Sequence, residues 1–192
     1  MPLIRETIVT TVSAQGRVHI APLGVIAEGE DWIIAPFRPS TTLDNLTAVP
    51  RAVLNHVDDV RIFAGCLTER RDWPLVADGN GPPRLAACLA HEELTVAHVE
   101  EHPQRPRFRC RVTKRVTHGA FAGDNRARAA VIEACILASR LPMLARDKID
   151  SEMAYLEMAI AKTAGPREQE AWGWIREKIE AFLAAVRSGS SD

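Results

Sequence analysis

The first two thirds of the chain place their apolar residues in short β-branched runs separated by turn signals, and the last third places them at helical spacing. Ile4 to Val12, rich in Ile, Val and Thr, predicts a strand. Ser13-Ala14-Gln15-Gly16-Arg17 predicts a turn, with Gly16 supplying the positive φ that tight hairpins need. Val18 to Ile26 returns as a second strand. Within it Pro22 removes a backbone donor and Gly24 permits close approach, so the strand is expected at an edge, at a bulge or beside a ligand. Glu28-Gly29-Glu30-Asp31 turns the chain into Trp32-Ile33-Ile34-Ala35, which reads as a buried strand. Three strands in quick succession imply an antiparallel meander.

A short helix is expected after Ser40, then a fourth strand from Arg51 to Val57. Asp58-Asp59 reads as the cap of a short apolar helix over Val60 to Leu67. Trp73 to Pro83, with two glycines and three prolines, reads as a loop. Arg84 to Glu101 is apolar and turns β-branched toward its end. Arg107 to His118 alternates, with Phe108, Cys110 and Val112 on one side and Arg109, Arg111 and Thr113 on the other. About six short strands joined by tight turns imply a small closed barrel.

From Asp124 helical spacing takes over. Asp124 or Asn125 caps a helix to Arg140 that is apolar almost all round, so it is expected to be buried, including between subunits. Glu133 and Arg140 on that helix read as ion-pair partners of other elements more readily than as catalytic groups. Leu141-Pro142 ends it. A second helix is expected over about Asp150 to Lys162, broken by Gly165-Pro166, and a third over Arg167 to Arg187 with Trp172, Ile175, Ile179, Phe182 and Val186 in line. These last two are expected to form an αα-hairpin, with Trp172 and Trp174 in a core or interface. From Ser188 a polar tail is expected to lack order. The fold class is α+β: an antiparallel barrel over residues 1–118, then a helical C-terminal domain over 119–192.

Composition narrows the function classes. The 192 residues are 46% apolar and 26% charged with a net charge of −1, an ordinary globular balance without the field that favours nucleic acid or an anionic membrane. The N-terminus lacks signal-peptide architecture, and no apolar run reaches membrane-spanning length. Cys66, Cys88, Cys110 and Cys135 are widely spaced in apolar surroundings, which predicts buried free thiols in a reducing, cytoplasmic compartment. No CxxC pair or His/Cys cluster stands out, so no metal is expected. His19, His56 and Asp58 or Asp59 would make a site only if their strands met, and hydrogen-bonded strand histidines are far commoner. Triad, P-loop, GxGxxG and HExxH patterns are missing.

The stretch with the most chemistry is Pro36-Phe37-Arg38-Pro39-Ser40-Thr41-Thr42-Leu43-Asp44-Asn45-Leu46. Two readings fit it. In one, Ser40 or Thr41 caps a helix and Arg38 is solvated. In the other, the unpaired N–H groups and positive end of the helix seat a phosphate, Arg38 adds a planar fork, and Ser40, Thr41 and Thr42 add hydroxyl donors.

This segment, with His19-Ile20-Ala21-Pro22-Leu23-Gly24 and Asn55-His56-Val57-Asp58-Asp59, resembles the FMN-binding split-barrel superfamily, specifically its flavin-reductase-like microbial branch with a helical C-terminal extension. The helix Asn125 to Leu141 resembles the start of that branch's helical part. The resemblance implies a split barrel and a homodimer binding FMN near the subunit interface. The phosphate would be held by Arg38, Ser40, Thr41, Thr42 and Asn45, and Pro22, Leu23 and Gly24 would run beside the flavin ring. It further implies flavin-dependent oxidoreductase activity with reduced nicotinamide or another electron donor. Some relatives are tied to pterin-linked one-carbon metabolism. A non-catalytic FMN carrier and a cofactor-free interaction module are the other two readings, and no residue is expected as a catalytic acid.

Overall fold

The computed structural model describes residues 2–79 and 81–189. The chain divides into two compact units, Met1–Asp58 with Asp72–Phe121, and Asp59–Arg71 with Ala122–Asp192.

The first unit is a closed antiparallel barrel of six strands: β1 (Ile4–Val12), β2 (Val18–Glu28), β3 (Asp31–Ile34), β4 (Arg51–His56), β7 (Ala90–Glu100) and β8 (Arg107–Thr117). They close in the order β1-β2-β3-β8-β7-β4. The β1–β2 turn forms as its residues dictate. Gly16 takes φ +77, and Ser13 Oγ accepts the N–H groups of Gln15 and Arg17 at 3.2 Å each. Inward residues of alternating strands, Val9, Val25, Trp32, Ile34, Leu54, Leu94, Phe108 and Cys110, fill the barrel. Leu43 and Leu46 of the short helix α1 (Thr41–Ala48) join that cluster. Burial of each such side chain is worth about 1.5–3 kcal/mol, which is what holds an eight-residue helix too short to persist alone.

The β2–β3 ladder begins only at Ile26↔Ile33 and runs to Glu28↔Asp31. Among the described residues, the stretch 18–25 of β2 therefore has a strand neighbour on the β1 side alone. The barrel thus closes between β2 and β3 through a ladder of three residue pairs.

The loop expected over Trp73 to Pro83 contains β5 (Leu75–Val76), which pairs with β6 (Arg84–Leu85) as a separate two-stranded piece. A continuous strand from Arg84 does not form. Cys88 N–H turns back to the Leu85 carbonyl, and β7 starts at Ala90.

The second unit contains α2 (Arg61–Leu67), α3 (Arg126–Ala138), a 3-10 turn at Leu141–Met143, α4 (Arg146–Thr163) and α5 (Pro166–Gly189). Asn125 caps α3: its Oδ1 accepts from the N–H of Ala127 at 2.8 Å and of Arg128 at 3.2 Å. Its Nδ2 donates to the Thr163 carbonyl at 3.0 Å, joining the start of α3 to the end of α4. The expected αα-hairpin is a minor contact, because α4 packs chiefly on α3 while α5 packs on α3 and α2 alike. Helix α3 buries Ala130, Val131, Ala134 and Cys135 but leaves Ala129 and Glu133 exposed, so it is covered on one face rather than all round. Arg140, like Glu133, is exposed. Helix α4 starts four residues before the expected Asp150 because Ala145 offers no side-chain cap as a sequence signal. The N-cap of α2 is Val60, which offers no side-chain cap, in place of the expected Asp58-Asp59; Asp59, one residue earlier, accepts the Arg61 N–H at 3.1 Å. Helix α5 includes Ser188 of the expected tail, and residues 190–192 lie outside the described ones. No described helix is long and apolar enough to cross a membrane.

Candidate functional site

The β1–β2 turn and the start of α1 enclose a groove of about 680 Å³. Ser13, Arg17 and His19 line it from the hairpin, and Thr41, Asp44 and Asn45 from the helix. Two of the residues singled out for phosphate, Thr41 and Asn45, are thus brought together. Asn45 is held by its Nδ2, which donates to Thr11 Oγ1 at 3.0 Å. Ser40 caps α1, its Oγ accepting the Leu43 N–H at 3.3 Å, which leaves its own O–H free to donate elsewhere. Thr42 lies on the buried face of α1 and is 3% exposed. The Arg38 guanidinium points to Glu101, Nη2 to Oε2 at 3.3 Å, while the Arg38 N–H donates to the Gln104 carbonyl at 2.8 Å.

Pro22, Leu23 and Gly24 lie in the half of β2 that β3 does not cover. Thr7 Oγ1 donates to the Leu23 carbonyl at 3.3 Å, which orients Leu23 toward β1. Pro22 has no N–H to give its partner Ile8, so that pair belongs to the non-hydrogen-bonded class. Both observations turn the backbone groups of Pro22 and Gly24 away from β1. The uncovered flank therefore presents the Pro22 carbonyl and the Gly24 N–H and carbonyl in a row. Gly24 is also crowded on its own face, where an added Cβ would stand 2.9 Å from both Glu6 Oε1 and Ile4 Cγ2.

A second polar cluster surrounds Glu92, which accepts from Trp32 Nε1 at 2.9 Å and Arg115 Nε at 3.1 Å and meets His56 Nε2 at 3.1 Å. Burial would raise its carboxyl pKa, but the hydrogen bonds from His56, Trp32 and Arg115 outweigh that and bring it down to about 2. A carboxylate so saturated with donors is a poor base. His19 and His56 flank β1 at Thr11 and one position beyond the Asn55–Ile8 pair, roughly 13 Å apart along the strand, and make no joint site. The four cysteines are free and buried. Burial pushes Cys110 and Cys135 up to about 12, so neither is a nucleophile at neutral pH.

Two features escaped the sequence reading. The hairpin residues Ser13 and Arg17 carry only turn signals, since only the β1–β2 register brings them to α1. A search for CxxC pairs also passes over Cys88-Leu89-Ala90-His91, whose ends converge with His118.

A six-stranded antiparallel barrel with a separate helical unit makes this an α+β protein, with the polar start of α1 beside the stretch of β2 that β3 does not pair. Among proteins of that fold the chain belongs to the DUF447 family of proteins of unknown function. The model of the family's N-terminal domain matches residues 5–119, and a second DUF447 model matches residues 125–177. The fold is similar to that of the FMN-bound DUF447 protein MM1853 from Methanosarcina mazei, with a TM-score of 0.79 and 20% identity over 93% of this chain and 96% of that one. A putative flavin reductase from Haemophilus somnus gives 0.52 and 13% identity, covering 61% of this chain and 81% of its own. The 2-nitrobenzoate 2-nitroreductase NbaA of Pseudomonas fluorescens gives 0.51 and 18%, covering 62% and 66%. No curated protein matches.

Proposed function

We propose that the protein binds FMN and acts as a cytoplasmic, flavin-dependent oxidoreductase of the flavin-reductase kind, working as a homodimer with reduced nicotinamide or a similar electron donor. The observation that carries the reading is the stretch of β2 at Pro22 and Gly24 that β3 does not pair, on the strand whose start lines the groove. One strand thereby serves both ends of the cofactor. Thr41, Asn45, Ser13 and Arg17 would take the phosphate, and the Pro22 carbonyl and Gly24 N–H would meet the donor and acceptor edge of the ring. Ser40 keeps α1 pointed at the groove, and Arg38 adds charge after leaving Glu101. The donor set fits a monophosphate: the guanidinium groups of Arg17 and Arg38, several hydroxyls and the positive end of a helix. Asp44 on the same rim opposes an anion. The likeness to the FMN-bound protein MM1853 over most of both chains supports the same assignment.

FMN would supply the hydride and electron chemistry. The chain's own part is to bind, orient and shield, and hydride passing directly to a stacked ring needs no side-chain acid. The test is the absorbance of the purified protein, followed by titration with FMN and riboflavin. FMN preferred by tenfold or more fits the phosphate seat, and equal affinity removes it. Anaerobic bleaching by reduced nicotinamide then separates an oxidoreductase from a carrier that holds flavin without turning it over.

A further inference from the structure

We propose that Cys88, His91 and His118 form a binding site for one zinc-class divalent cation, separate from the flavin groove. Cys88 lies between β6 and β7, His91 is the second residue of β7, and His118 directly follows β8. A ligand atom of each lies within 4.8 Å of the other two. Cys88 and His91 are buried, and His118 is exposed. Backbone bonds fix the meeting: Leu89 N–H donates to the His56 carbonyl at 2.8 Å, and the Leu89 carbonyl accepts from His118 at 2.7 Å and Gly119 at 3.0 Å. The Cys-x2-His spacing lets one tight turn deliver two ligands, as the C-x2-C half-sites of zinc modules do.

The donor set chooses the ion. One sulfur and two imidazole nitrogens suit zinc and its neighbours, whereas calcium and magnesium take oxygen. His91 Nδ1 and His118 Nε2 are 2.8 Å apart, the ring planes differ by 6° and the centroids are 5.0 Å apart. With facing nitrogens so close, that centroid distance means the rings lie end to end around one shared proton rather than face to face. A tetrahedral cation with Zn–N of about 2.0–2.1 Å needs its nitrogens roughly 3.3 Å apart. Exposed His118 has the freedom to move out by that half ångström and to turn so that both ring lone pairs meet at the cation. The cation then takes the place of the shared proton, which passes to the far nitrogen of its own imidazole so that both rings bind neutral; the thiol proton is released to solvent, and water takes the fourth position. The other nitrogen of His91 stands 3.8 Å from Glu93 Oε1, where carboxylates back metal-bound imidazoles. Of the cations nearby, Arg84 at 3.9 Å from Cys88 Sγ is already paired with Asp78, and Lys114 with Glu93. Bound metal would pin the end of β8 to the β6–β7 turn.

The experiment strips the full-length protein with a chelator and titrates it with Zn²⁺ and, separately, Co²⁺. One equivalent of Zn²⁺ should bind and raise Tm by roughly 5 °C or more. Co²⁺ should give a near-ultraviolet thiolate charge-transfer band with intense visible bands. Cys88→Ser should abolish the charge-transfer band, and His118→Ala, a change at an exposed position, should abolish the Tm rise. His98→Ala, at an exposed histidine farther along β7, should leave both unchanged. A Co²⁺ spectrum without charge transfer, or Zn²⁺ stabilisation that survives His118→Ala, overturns the proposal. Neither readout involves flavin, so the outcome is independent of the FMN assignment.

Discussion

Asn45 Nδ2 donates to Thr11 Oγ1 over 3.0 Å, both groups buried, and so ties α1 to β1 at the wall of the groove. Asn45→Ala removes that bond and should cost about 1–2 kcal/mol, the scale of one buried hydrogen bond and its stranded partner. Urea unfolding reads the loss. FMN titration of the same variant should show weaker binding, because the helix start loses both a donor and its anchor.

Arg17 and Asp44 face the same groove with opposite charges, so they should act oppositely on an anion. Arg17→Ala should weaken FMN by about 2 kcal/mol, roughly thirtyfold. Asp44→Asn should tighten it several-fold by removing a like charge. Arg38→Ala should weaken it less than Arg17→Ala, since its exposed pairing with Glu101 is already worth up to about 1 kcal/mol and competes. Fluorescence titration of the three variants orders them. A tightening by Arg17→Ala would place the phosphate elsewhere.

Glu92 gives the barrel a defined acid limit. Its folded pKa of about 2 lies below an ordinary value of 4.5, so the unfolded chain takes up the proton first as pH falls. The stabilisation, on the order of 3 kcal/mol, is fully present above pH 4.5 and is lost between there and pH 2. Glu92→Gln should therefore be less stable at neutral pH and should flatten the stability profile over that window. Chemical denaturation at a series of pH values checks both.

The helical unit carries a cleft of about 390 Å³ between α3 and α4, beside which Tyr155 is 69% and Met158 53% exposed. Exposed side chains of that size beside an apolar cleft suit contact with a second copy. Met158→Asp should shift the proposed dimer to monomer without lowering Tm by more than a degree or two. Sedimentation velocity over a dilution series measures the shift, and a dimer that ignores the substitution moves the contact elsewhere.

The barrel was legible because its strands advertise themselves. Ile4 to Val12 and Arg107 to His118 carry β-branched alternation, and the Ser13 to Arg17 turn has the one glycine its geometry requires. The helices were legible where caps exist, as at Asn125, and misplaced where none does, as at Ala145. Half of the Arg38 to Asn45 segment was also readable in advance. Helical periodicity over residues 41–48 buries Thr42 with Leu43, Asn45 and Leu46 and turns Thr41 outward, which a wheel over eight residues would have shown. The rest of the groove depends on register. Nothing local to Ser13, Arg17 or His19 says that α1 will lie across them, and nothing local to Cys88 says that the far end of β8 will arrive with His118.

Over residues 21–25, β2 has a strand neighbour on the β1 side alone, the kind of surface on which a second chain can add a strand and begin an aggregate. Pro22 stands within it. With no N–H, it interrupts the row of donors that an incoming strand would need, yet its carbonyl stays available to a small molecule that asks for a single acceptor. Pro22→Val would complete the ladder and suit the strand by propensity, and it would convert the proposed binding surface into a template for self-association. One imino acid thus lets that stretch of β2 remain unpaired without being captured by its own copies.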